Sequence, residues 1–147
     1  MDRRVMGKLG VSVPLLGFGA MRLPLTKEET IDWPAAREMV DEAMASGVNY
    51  FDTSSVYHKG ESEVFLGKAL ASYPRDSFYF ANKMPIWNMK SRQEMEEYFD
   101  IQLERSGMEY FDFYLMHNVN RDHLPMYEAL GCYEFLRRKQ REGKIRW

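Results

Sequence analysis

Four times along this chain a short apolar or aromatic run precedes a longer segment with helical spacing, and few folds accommodate that order. "LLGFGAM" reads as a short buried strand ending in glycine. The helix after it is "DWPAAREMVDEAMASG", with Pro34 near its start, Ala36, Met39, Val40 and Ala43 on one face, and Gly47 just beyond its end. "VNYFD" is followed by "ESEVFLGKALASY", where Phe65, Leu66, Ala69 and Leu70 supply the apolar side. "SFYFANK" is followed by "SRQEMEEYFDIQLERSG", which opens on a Ser91-to-Glu94 capping-box pattern and carries Met95, Tyr98, Phe99 and Leu103 as its stripe. "YFDFYLMH" is followed, after a loop, by "MYEALGCYEFLRRKQREG", with Met126, Ala129, Leu130, Tyr133 and Leu136 at helical spacing. Ahead of the first unit, "RRVMGKLGVSVP" has two β-type runs around Gly7 and Gly10 and predicts a hairpin.

The order βαβαβαβα predicts an α/β fold with parallel strands, because parallel neighbours need a long connection and the right-handed crossover is strongly preferred. An open doubly wound sheet and part of a (β/α)8 barrel both satisfy that order, and periodicity alone does not separate them. The closing "GKIRW" leaves a helix and begins a further strand. A TIM-type (β/α)8 barrel takes about 250 residues, so 147 residues supply about the first half of one. No linker divides the chain, and residues 1–147 are expected to form a single domain truncated at the start of a fifth barrel strand.

Composition bounds the partners. An apolar fraction of 45% with 29% charged residues describes a globular chain with a sizeable core. The formal charge of -2 gives no electrostatic reason to bind nucleic acid or an anionic membrane. The one basic run, "RRKQREGK", reads as a last helical turn whose cations complement the carbonyl end of the dipole; a nucleic-acid patch is the alternative. No run approaches the roughly 18 apolar residues of a membrane span, and "MDRRVMGKLG" lacks a signal-peptide core. Cys132 is the only cysteine, so no internal disulfide and no CxxC motif is available, and a reducing, cytoplasmic setting is expected. The eleven methionines read as core filler.

Three polar residues end successive strands: Asp52 after "VNYF", Lys83 after "FYFAN" and His117 after "FYLM". In a parallel α/β fold those ends share the face where loops build active sites, and Tyr57 lies in the loop just past Asp52. Such a set suits proton transfer coupled to carbonyl reduction: a phenol donates to the oxygen that becomes negative, and a nearby ammonium stabilises the phenolate. Tyr57 is then the acid and Lys83 the ammonium, with Asp52 aiming the amine and His117 orienting the carbonyl. Taken singly, Asp52 reads as a cap, Tyr57 as a half-buried aromatic, His117 as a satisfied strand-end histidine and Lys83 as a surface cation. Their joint arrival on strand ends favours the chemical reading. His58 and His123 have no such support, the spacing of His117 and His123 suits no metal motif, and no metal is assigned. "GFGAM" is not a GxGxxG fingerprint.

With these four residues, the stretches "LGFGAMRLP", "GVNYFDTSSVYHKGESEVFLGKAL", "ANKMP", "FDFYLMHN" and "EGKIRW" resemble the aldo-keto reductase family, as the N-terminal half of a bacterial-type member. Asp52, Tyr57, Lys83 and His117 match that family's catalytic tetrad in order. The resemblance implies a (β/α)8 barrel that reduces an aldehyde or ketone by hydride transfer from NADPH, with the tyrosine as proton donor. It also implies that Gly19, Ala20, Met21, Arg22 and Asp52 lie near the nicotinamide ribose and that Trp87 walls the substrate. In the family, later loops hold most of the contacts to the adenosine phosphate and pyrophosphate, and those residues are not in this sequence. Relatives with "GFGAMRLP" can carry a cysteine-rich iron–sulfur tail, and nothing here assigns one.

An open half-barrel exposes strand edges and apolar surface. A missing C-terminal half or a second copy of the chain is therefore expected to cover them. The alternative function is a non-catalytic binding or regulatory protein, or a self-associating half-barrel, on the same scaffold.

Overall fold

The computed structural model describes residues 1–147. Two antiparallel strands, β1 (Arg3–Met6) and β2 (Val11–Pro14), form the expected hairpin, with Gly10 taking the left-handed conformation that closes its turn. A parallel sheet follows, built in sequence order from β3 (Phe18–Gly19), β4 (Tyr50–Asp52), β5 (Tyr79–Met84) and β6 (Phe113–Met116). Between them run α1 (Trp33–Ala45), α2 (Glu61–Leu70) and α3 (Arg92–Ser106), and after β6 come α4 (Leu124–Ala129) and α5 (Cys132–Arg141). Sequential neighbours joined by crossover helices are the arrangement of the first half of a TIM-type barrel.

Strand alternation sorts the side chains. Phe51, Phe80, Met84 and Tyr114 face the helices and join a core with Phe65, Leu66, Leu70, Met95, Phe99 and Phe111. Tyr50, Ala81 and Phe113 face the other way, where Val11 and Val13 of the hairpin and Trp147 pack on them. The hairpin thus plugs one end of the concave face. Toward the other end Asp52 and Lys83 emerge on that same face, and Leu115 is exposed. Asp112, buried at the entry to β6, ties the lower end together: it accepts from Arg75 Nη2 (2.6 Å), the Phe80 N–H (2.9 Å) and Arg146 Nη1 (3.1 Å).

Helix boundaries follow local chemistry. Asp32 caps α1 by accepting from the Ala35 N–H, and Pro34 sits in its first turn. Ser91 caps α3 by accepting from the Glu94 N–H at 3.1 Å. The return bond differs from the expected capping box, because Glu94 Oε2 accepts from the Lys90 N–H (2.7 Å), not from Ser91. The basic run ends α5 as expected, with Arg138 and Lys139 both paired to Glu96 of α3. Residues 144–147 lie parallel beside β6: Trp147 N–H donates to Asp112 O (2.8 Å) and Tyr114 N–H to Trp147 O (3.0 Å).

Three expectations need correction. Only Phe18 and Gly19 of "LLGFGAM" are strand, and Leu15 and Leu16 are exposed, because this edge segment pairs with β4 alone. Met39 and Tyr133, expected on apolar stripes, also face outward. The last helix is two helices: Gly131 is left-handed (φ 64°) beneath the Arg92 guanidinium, where a Cβ would meet Nη2 at 2.5 Å. Arg92 Nε also donates to the Leu130 carbonyl (3.0 Å), ending α4.

Candidate active site

The register Gly19↔Asp52↔Ala81 and Lys83↔Leu115 brings four strand ends to one rim. Lys83, almost fully buried, extends its ammonium to Asp52 Oδ1 (2.5 Å) and to the Thr53 carbonyl (2.7 Å). A desolvated ammonium needs such partners, and a charge-assisted pair of this length is among the stronger hydrogen bonds available. The ammonium also lies 5.0 Å from the centroid of the Tyr57 ring. His117 meets that ring edge-on, with centroids 5.8 Å apart. The four residues expected to form a site are therefore gathered around one phenol.

The Tyr57 turn is held tightly. Tyr57 N–H donates to Ser54 O (3.0 Å), after which His58 and Lys59 adopt positive φ (48° and 56°) and Gly60 follows at 93°. Two consecutive non-glycine residues in left-handed space are costly and persist only where surroundings enforce them. Here His58 Nε2 accepts from the Leu23 N–H (3.2 Å), and the Arg105 guanidinium lies against Gly60.

His117 is fixed at three atoms. Its N–H donates to Met84 O (3.0 Å), its carbonyl accepts from Tyr127 Oη (2.7 Å), and its Nδ1 pairs with Ser54 Oγ (3.0 Å). The Tyr127 hydroxyl also reaches Met84 O (2.6 Å), so one buried phenol clamps the ends of β5 and β6 together. Burial, and then the Lys83 charge, push the His117 pKa below its ordinary 6.5. The neutral ring is thus favoured; in the tautomer in which Ser54 donates to Nδ1, Nε2 carries the proton and is a donor.

Trp87, in the turn Ile86–Asn88, has its ring centroid 5.1 Å from that of His117 and stacks on His123 at 4.7 Å, which places its side chain beside the rim. The segment 19–23 runs along the opposite side. Ala20 is buried, its N–H bonded to Asp52 O (2.8 Å) and its carbonyl to Ser62 Oγ (2.9 Å). Gly19, Met21 and Arg22 are exposed, and the space beside Gly19 is open where a Cβ would stand. This leaves accessible backbone beside Asp52, whose carboxylate meets Lys83 through Oδ1.

Sequence reasoning missed Ser54, His58, Tyr127 and the buried polar group of Glu63, Asn82 and Gln102. For two of these a signal existed: Glu63 shares a helix face with Leu66 and Leu70, and Gln102 shares one with Met95 and Phe99, so each is a polar residue on an apolar stripe. Ser54, His58 and Tyr127 act through contacts distant in sequence, with no local pattern to reveal them.

The model of the Aldo/keto reductase family matches residues 15–147. Among curated proteins, the chain is 29% identical to the Probable aldo-keto reductase 1 of Glycine max, over 97% of this chain and 42% of that protein. It is 28% identical to the L-galactose dehydrogenase of Arabidopsis thaliana, over 100% of this chain and 47% of that one. Among solved structures, the holo form of the aldo-keto reductase AKR11C1 from Bacillus halodurans superposes with a TM-score of 0.78 at 30% identity, covering 100% of this chain and 49% of that chain. The chain thus spans about half the length of the relatives it matches. With the family model covering nearly all of it, the chain belongs to the aldo/keto reductase family.

Proposed function

We propose that this chain carries the proton-transfer half of a carbonyl-reducing site, with Tyr57 as proton donor to an aldehyde or ketone oxygen. The observation that supports this most is the Lys83 ammonium, bonded to Asp52 and set 5.0 Å from the Tyr57 ring. A cation there favours the phenolate left after donation. In this reading Asp52 keeps Lys83 charged and aimed, while neutral His117 donates from Nε2 to the carbonyl oxygen and Trp87 bounds the substrate.

The cofactor in this reading is NADPH, which supplies the hydride when bound. Its nicotinamide and ribose end suits the residues present: open space beside Gly19, exposed Met21 and Arg22, with Ala20 held beside them, and a carboxylate at Asp52 able to accept from a ribose hydroxyl. The remainder of the cofactor site and the cover for the concave face would come from further barrel strands or from a second copy of the chain. Residues 1–147 would then be one structural unit.

Titrating NADPH against the complete barrel, this chain together with the strands or second copy that close it, while following tryptophan fluorescence, then assaying a panel of aldehydes, tests the proposal. Binding with turnover is the expected result. Binding without turnover favours a regulatory protein on the same scaffold, and the absence of both refutes the reading.

A further inference from the structure

Behind Lys83, on the helix side of the sheet, lies a polar group that the proton-transfer reading does not use. Glu63, Asn82 and Gln102 are all completely buried. Asn82 Nδ2 (2.8 Å) and Gln102 Nε2 (3.0 Å) both donate to Glu63 Oε1. Gln102 Nε2 also reaches the Lys83 carbonyl (3.0 Å), and the Lys83 N–H donates to Asn82 Oδ1 (2.9 Å). The Tyr114 hydroxyl donates to Gln102 Oε1, which leaves the Gln102 amide one orientation.

The reason for this arrangement lies in the ladder. Thr53 N–H donates to Ala81 O (3.0 Å), so Ala81, and two residues later Lys83, direct their backbone polar groups toward β4. β4 ends at Asp52 and the chain turns away after Thr53, so Lys83 has no strand partner on that side. Asn82 and Gln102 take the partner's place. Buried backbone groups must be paired, and here the pairing depends on two amides, of which Tyr114 orients Gln102 while Asn82 has no such donor of its own. Glu63 Oε1, accepting from both NH2 groups, sets the orientation of Asn82 and ties it to Gln102.

We infer that Glu63 is a positioning residue for Lys83, acting as the acceptor that fixes Asn82 and Gln102 against the Lys83 backbone and so holds its ammonium at Asp52 and Tyr57. Only the consequence for catalysis rests on the role proposed for Lys83 above. Glu63 Oε2 makes no hydrogen bond, and Arg105 Nη1 stands 3.8 Å away. Burial pushes the Glu63 pKa up, against the pull of Asn82, Gln102 and Arg105.

The test reads Lys83 directly, without cofactor or substrate, so it stays independent of whether the chain reduces carbonyls. The chain is briefly treated with an amine-acylating reagent, and labelling of Lys83 is quantified by peptide mass spectrometry against exposed Lys8 and Lys27 as internal standards. In Glu63→Ala and in Gln102→Met, Lys83 should label about tenfold faster than in the parent, as expected when a buried hydrogen-bonded network is opened. Glu63→Gln keeps a carbonyl oxygen and should restore the slow rate. Unchanged labelling in a folded Glu63→Ala or Gln102→Met variant, judged by circular dichroism, overturns the inference, as does Glu63→Gln labelling as fast as Glu63→Ala. If Glu63→Ala does not fold, Gln102→Met and Glu63→Gln decide the matter.

Discussion

Replacing Gly67 by alanine sets two physical effects against each other. Gly67 lies inside α2, where alanine is the better helix former by about 1 kcal/mol. On propensity alone the variant should be more stable. The packing says otherwise: a Cβ at this position would stand 2.0 Å from the Ser106 carbonyl oxygen, 2.6 Å from its carbon and 2.9 Å from its Cα. Ordinary carbon–oxygen contact is about 3.3 Å or more, so α2 and α3 would have to part by more than about 1 Å. Neither obstacle is a flexible side chain; both helices would move, and with them Glu63, the turn that leads from Tyr57 and the seat of Gln102. Overpacking costs about 1–3 kcal/mol and more when rigid backbone must shift, so the net destabilisation should be about 2 kcal/mol after the propensity gain. Urea unfolding followed by circular dichroism measures it, with a fall in Tm of several degrees as an independent check. A Gly67→Ala variant more stable than the parent would refute this account of the α2–α3 contact.

Other perturbations have equally definite outcomes. Asp112→Ala leaves the Arg75 guanidinium and the Phe80 N–H without their shared acceptor, and should cost about 3 kcal/mol in urea unfolding. His117 and Glu63 give opposite pH slopes. The folded His117 pKa is depressed, so its stabilising contribution is complete above the ordinary 6.5 and is lost as pH falls through the folded value. The folded Glu63 pKa is raised, so its contribution is complete below the ordinary 4.5 and is lost as pH rises through the folded value. Relative to the parent, Glu63→Gln should therefore gain stability as pH is raised from 4.5, seen in unfolding midpoints measured across that range. Tyr127→Phe removes the clamp on Met84 O and His117 O and should cost about 1–2 kcal/mol.

Much of this architecture was legible in the sequence because it is written in local patterns. The strand and helix periods, the Ser91 cap, Pro34 at the start of α1 and the strand-end positions of Asp52, Lys83 and His117 each depend on a few adjacent residues. What was illegible depends on tertiary geometry. "MYEALGCYEFLRRKQREG" has an unbroken helical period, yet Arg92, more than thirty residues away, caps the first part and crowds Gly131. Leu15 and Leu16 have the composition of a buried strand, but only the sheet order reveals that they lie at an edge. His58 had no local signal at all, because its partner is the Leu23 N–H across the rim. Glu63 was visible as an acid on an apolar stripe, and only the fold supplied the two amides that make it tolerable there.

The claim at the centre is that Tyr57, set against Lys83 and His117, delivers the proton to a reduced carbonyl. Its most direct test is oxidation of NADPH by aldehydes in the complete barrel, this chain together with the strands or second copy that close it, and in its Tyr57→Phe variant, with cofactor affinity measured in parallel by fluorescence. The account predicts that removing the phenolic hydroxyl lowers turnover by about 100-fold or more while NADPH affinity changes little. Equal turnover in the two proteins would contradict it.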